Sequence, residues 1–139
     1  MARTIPIIKL RQNLIVSIQI DMTDRIVAEL KENIAHEVRS QDVSGLIIEV
    51  SAVDFLDSYI ARSIQQIAKI ARCMGVQTVL AGLDASVAIT LVEMGADMLG
   101  VETALNLETA LDALEEQQAA ERKLDAEVEA MIWEEIAGT

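Results

Sequence analysis

Ser51-Ala52-Val53-Asp54-Phe55-Leu56-Asp57-Ser58-Tyr59-Ile60-Ala61-Arg62 is the stretch on which the reading of this chain turns. Before it, Leu46, Ile47, Ile48 and Val50 form a nearly continuous β-branched apolar run, the pattern of a strand buried on both faces of a parallel sheet. After it the period changes. Ile60, Ile64, Ile67, Ala71 and Met74 recur at steps of four and three, which draws one stripe down a helix. Ser58 stands where that helix begins and is expected as its N-cap, a role that contributes about 1 kcal/mol. Gly75 then supplies the left-handed position that stops the helix.

The segments outside this one repeat the alternation. Thr4 to Leu10 and Asn13 to Ile20 read as two strands joined by Arg11-Gln12, an antiparallel hairpin with Pro6 on an edge. Asp21 or Thr23 starts a helix whose buried face is Ile26, Leu30, Ile34 and Val38. Val76 to Ala81 is the next strand. A third helix follows, capped by Asp84 and striped by Val87, Leu91 and Met94, with Gly95 as terminator. Met98 to Val101 reads as a weak strand, and from Asn106 the chain is helical with no Gly or Pro until Gly138. Strands separated by single helices give an α/β fold with a mostly parallel sheet opened by an antiparallel strand.

Composition excludes several kinds of function. The 139 residues carry a net charge of −12, unsuited to a sequence-independent grip on nucleic acid, which needs clustered Lys and Arg. Residues 101–139 hold eleven acids against Arg122 and Lys123, so −9 of that charge lies there. No apolar run is long enough to span a bilayer, and residues 1–6 lack a signal peptide's apolar core, so a cytoplasmic protein is expected. Cys73 is alone and has no base or cationic cluster to activate it, which fits a reducing compartment. His36 lies among Lys31, Glu32 and Arg39 with no second ligand, so no metal and no cofactor are expected. There is no Gly-rich phosphate loop, GxSxG or HExxH, and no catalytic residue is assigned.

The central loop holds the chain's only Phe and only Tyr, and it is apolar where solvated loops are polar. That combination suggests a docking surface with aromatic anchors. Asp54 also fits the phospho-acceptor aspartate of a response-regulator receiver. A receiver, however, needs an acidic pair after its first strand and a Lys after its last. Asp21 and Asp24 follow the second strand, and Met98–Leu105 contains no Lys.

Strand, Val53-Asp54-Phe55-Leu56-Asp57-Ser58-Tyr59-Ile60-Ala61, then a helix ending Met74-Gly75 resembles the STAS domain of anti-sigma factor antagonists. It is similar in particular to the small single-domain scaffold subunit of the bacterial stressosome. Ile5-Pro6-Ile7-Ile8-Lys9-Leu10, Leu14 to Gln19 and Ala88 to Gly95 extend the likeness over roughly residues 4–118. The resemblance implies a β-α superhelix and a serine, Ser58, phosphorylated by a serine/threonine switch kinase of the histidine-kinase-like ATPase fold. It also implies a large assembly with STAS-domain sensor paralogues, and self-association.

The resulting expectation is a non-catalytic phospho-switch. The unmodified protein sequesters the kinase through Asp54, Phe55, Leu56, Asp57, Tyr59 and Arg62 and releases it when Ser58 is phosphorylated. Asp57 would orient the hydroxyl, and Arg62, one turn on, would pair with Asp57 or the phosphate. The alternatives are a stand-alone anti-anti-sigma factor that binds an anti-sigma kinase, and the receiver. Ser86 and Thr90 are secondary phosphorylation candidates. Residues 1–120 form the expected STAS domain and 121–139 an acidic helical extension outside the resemblance. Its stripe of Leu124, Val128, Met131, Ile132 and Ile136 is expected to pack on the domain, with a subunit contact as the other possibility.

Overall fold

A computed structural model describes residues 5–19, 22–93 and 101–138. Five strands form one sheet in the order β1-β2-β3-β4-β5: Ile7–Leu10, Asn13–Ser17, Gly45–Glu49, Gln77–Ala81 and Glu102–Ala104. β1 and β2 are the antiparallel hairpin, with Leu10 opposite Asn13, and the other pairs are parallel. Arg-Gln is a poor hairpin sequence, and Arg11 adopts a left-handed φ of 57° to make the turn. The expected α/β class with an antiparallel opening strand is the observed one.

Among the described residues four helices cover the sheet: α1 Asp24–Ser40, α2 Ser58–Cys73, α3 Ala85–Glu93 and α4 Leu107–Ala137. Because side chains alternate along a strand, each central strand feeds two cores. Leu46, Ile48 and Val50 pack with Leu14, Val16 and the buried faces of α1, α2 and α3, while Ile47 packs with Ile15, Val79, Ala110 and Leu114 beneath α4. Gly45 lets α4 approach the sheet, for a Cβ there would lie 2.3 Å from the Asn13 Oδ1 and 2.9 Å from Leu114.

Several expectations shift. Thr23 caps α1, its side chain accepting from the Ile26 N–H at 3.2 Å; Asp21 lies outside the described residues, as do Thr4, Ile20, Met94, Gly95 and Met98 to Gly100. Among the described residues the last strand is Glu102–Ala104, and Asn106 caps α4. Gly75 ends α2 with φ 81°, as its position implied.

The largest departure concerns α4. Its first half is docked, with Ala110 and Leu114 buried, Glu115 paired with Arg11, and the Gln118 Nε2 donating to the Asn13 Oδ1 at 2.8 Å. From Glu121 onward every described residue is exposed, Leu124, Val128, Met131, Ile132, Trp133 and Ile136 included. The expected packing of this stripe on the domain is not found. The reason is length. A helix of 31 residues spans about 46 Å, whereas five-residue strands span about 17 Å, so α4 overruns the sheet.

Candidate functional site

The loop between β3 and α2 is built by an alternation of inward and outward residues. Val50 leaves the strand, and a turn closes with the Val53 N–H donating to the Val50 carbonyl at 3.0 Å. Glu49 fixes this turn, accepting from the Ser51 N–H at 2.8 Å and from the Ser17 hydroxyl at 3.3 Å. Val53 then packs against the core, Asp54 and Phe55 point outward, and Leu56 is driven inward to 2% exposure. Phe55 is 70% exposed. Leu56 is therefore not on the docking surface that the sequence implies but in the core, packed with the side chains of the α1–α2 face. Its burial holds the loop so that its neighbour Phe55 stands out.

Capping is also reassigned. The N-cap of α2 is Asp57, whose carboxylate accepts from the Ile60 N–H at 2.8 Å, and Ser58 is the first helical residue. An aspartate here satisfies a free N–H and places negative charge at the positive end of the helix dipole. Ser58 is thereby relieved of the capping role. Its side chain is exposed and makes no hydrogen bond to a described residue.

Tyr59, on the other side, is partly exposed and donates its hydroxyl to the Asp24 carboxylate at the start of α1. That hydrogen bond, followed by partial desolvation and the Asp24 charge, raises the phenol above its ordinary value; Asp57 adds to the rise and Ser63 opposes it. Arg62, exposed one turn from Ser58, forms no ion pair with Asp57.

Two shallow clefts flank the serine. One, of about 330 Å³, is lined by Ile18, Gln19, Ala52, Val53, Asp54, Phe55, Asp57 and Ile60. The other, of about 270 Å³, lies between α1 and α2 and includes Asp24, Lys31, Tyr59, Arg62 and Gln66. The structure thus brings Asp54, Phe55, Asp57, Ser58, Tyr59 and Arg62 onto one surface, with Leu56 beneath it. Sequence reading missed Asp24, Ile18 and Gln19. Asp24 is 35 residues from Tyr59, and no local pattern joins them. The hydroxyls of Ser86 and Thr90 on α3 are engaged, with the Asp84 carboxylate at 3.3 Å and the Ser86 carbonyl at 2.9 Å. Among the described residues no group of His, Cys, Asp or Glu is arranged to hold a metal, and no helix is long and apolar enough to cross a membrane.

A β-α sheet opened by an antiparallel strand, with an exposed serine at the start of its central helix, defines a class, and the family comparison agrees with it. The STAS domain model matches residues 4–110, and the chain belongs to that family. The RsbS protein of Moorella thermoacetica carrying the substitution S58E superposes with a TM-score of 0.71 at 36% identity, covering 83% of this chain and 97% of that one. A chain from a structure of the stressosome, described as a signal integration and transduction hub, superposes at 0.72 with 37% identity over 81% of this chain and 98% of its own. The RsbT co-antagonist protein RsbRD of Bacillus subtilis strain 168 is 26% identical over 80 residues, 58% of this chain and 29% of that protein. The chain therefore spans less than a third of that relative's length.

Proposed function

We propose that this protein is a non-catalytic phospho-switch in a stressosome-type complex, and that the surface around Ser58 is its latch. Unphosphorylated, it holds a serine/threonine switch kinase of the histidine-kinase-like ATPase fold against Phe55, Tyr59 and the flanking Asp54, Asp57 and Arg62. Phosphorylation of Ser58 releases the kinase. The same STAS domain assembles with STAS-domain sensor paralogues in the cytoplasm.

One observation carries this reading. Ser58 is an exposed, unbonded hydroxyl on a fixed helix end, set between two exposed aromatic side chains. Because Asp57 does the capping, modification of Ser58 leaves the cap in place. A phosphate adds about −1.5 to −2 charges beside the Asp57 carboxylate, at a helix end that itself favours an anion by only about 0.3–1 kcal/mol. The effect therefore falls on the bound partner. A carboxylate of the kinase within roughly 7 Å is repelled by about 1 kcal/mol in a water-like dielectric and by several at an effective ε near 20. Desolvation of the dianion adds to this, which amounts to a tenfold to thousandfold loss, roughly, in affinity.

Incubation with the partner kinase and ATP, followed by intact-mass measurement, should give one phosphate that is absent in Ser58→Ala. Ser58→Asp, with a single negative charge, should weaken capture of the kinase, by less than phosphorylation does, with the circular dichroism spectrum unchanged. Labelling at another residue, or equal capture by the parent and Ser58→Asp, refutes the assignment.

A further inference from the structure

We propose that the Lys31–Arg62 end of the cleft between α1 and α2 seats an acidic side chain of the kinase, and that phosphorylation of Ser58 expels it. This rests on the reading of the Ser58 surface as a kinase latch and adds the chemistry of the contact that the latch breaks.

Placement is the first ground. Ser58, Arg62 and Gln66 follow one another at four-residue steps along α2, with about 6 Å between successive side-chain bases. Lys31 reaches across from α1, and its Nζ donates to the Gln66 Oε1 at 2.7 Å. Its ammonium therefore stands one turn beyond Arg62 in the same row, with two further N–H donors to give. Both cations line the one cleft of about 270 Å³.

Charge selects the occupant. The helical neighbours three and four residues from Lys31 are Val27, Ala28, Ile34 and Ala35, and those of Arg62 are Ser58, Tyr59, Gln65 and Gln66. None of them is acidic. Among the described residues neither cation forms an ion pair. Asp24, the acid among the residues lining the cleft, lies seven residues back along α1, about 10 Å from Lys31, and is engaged by the Tyr59 hydroxyl. The Lys31–Arg62 end is left with positive charge and no carboxylate of its own, and a partner's Asp or Glu complements it.

Distance makes the contact switchable. A carboxylate held between Arg62 and Lys31 lies about 6–10 Å from Ser58, close to the Debye length at physiological salt. A phosphate on Ser58 repels it. The same phosphate, four residues before Arg62, draws that guanidinium into a pair within the chain, so the seat loses a cation as it gains a like charge.

Binding of the purified switch kinase, read by biolayer interferometry, should weaken about tenfold in Lys31→Gln/Arg62→Gln, with an association rate less sensitive to salt than the parent's. Arg39→Gln/Arg72→Gln removes the same charge from the last turns of α1 and α2, at the far end of both helices, and should bind as the parent does. Ser58→Asp introduced into the cleft variant should lose at least threefold less affinity than it does in the parent. Circular dichroism and unfolding temperature should be unchanged in both double variants. A cleft variant that binds as tightly as the parent, or more tightly (as a basic partner side chain would make it), overturns the proposal. So does equal weakening by the far-end variant, or a Ser58→Asp loss undiminished in the cleft variant. In each of those cases Ser58→Asp still weakening the parent leaves the latch itself standing.

Discussion

Phe55 and Trp133 are both exposed aromatic side chains, 70% and 63%, yet they stand on different foundations. Phe55 is held out by its neighbours. Leu56 and Val53 are anchored in the core, Glu49 ties the preceding turn, and Asp57 caps the helix that follows. Trp133 sits on the part of α4 beyond residue 120, where every described residue is exposed. In the loop, tertiary packing presents an apolar residue; on the extension, apolar residues are left over when the helix outruns its sheet. The lesson is that equal exposure is not equal preorganisation. The loop surface offers a partner a shape already fixed by the core, whereas the extension is held only by its own helical hydrogen bonds.

Truncation inside each region tests this difference most severely. Leu56→Ala should cost about 2–5 kcal/mol in denaturant unfolding, because it opens a cavity in a sealed core, whereas Leu124→Ala should stay within about 0.5 kcal/mol in the monomer. Similar costs for the two would erase the distinction. A smaller effect separates the adjacent residues at the mouth of α2. Asp57→Ala should lose about 1 kcal/mol, the worth of a cap, while Ser58→Ala should change chemical-denaturation stability by a few tenths at most. The reverse order would return the capping role to the serine and weaken the case for a free hydroxyl.

The smallest expected effect is spectroscopic. Tyr59 is the chain's only tyrosine, so its ultraviolet titration reports one group. Its phenol is raised by the bond to Asp24, so the folded state favours the neutral form. The contribution of that bond is intact below the unfolded value, about 10, and is lost as pH climbs through the higher folded value. Asp24→Asn should move the tyrosinate transition to lower pH. An unmoved transition would detach Tyr59 from α1.

Much of the fold was legible from periodicity alone. The β-branched run at Leu46–Val50, the four-three stripe of α2 and the two short strand-like runs at the start each fixed an element, because side-chain spacing of two or 3.6 is a local property. The candidate site was legible in outline: the aromatic residues, the acids and Ser58 lie where the motif put them. Its inner logic was not. Leu56 and Phe55 are both large apolar neighbours, and only the path of the chain into the core decides which is buried. Asp57 and Ser58 are both good caps, and the choice between them turns on which residue takes extended backbone, here Asp57 with φ −89° and ψ 175°.

By itself, the sequence determined the elements, their order and the acidic character of the last third, since these follow from residue type and spacing along one dimension. Tertiary structure alone decided what each apolar face meets. The extension illustrates why: its apolar residues also recur at helical spacing, but a helix about 46 Å long cannot be covered by a sheet about 17 Å deep. Whether a face finds a partner is set by where the helix lies relative to the edge of the sheet. That relation arises between segments far apart in the chain, as when Gln118 reaches Asn13 across 105 residues.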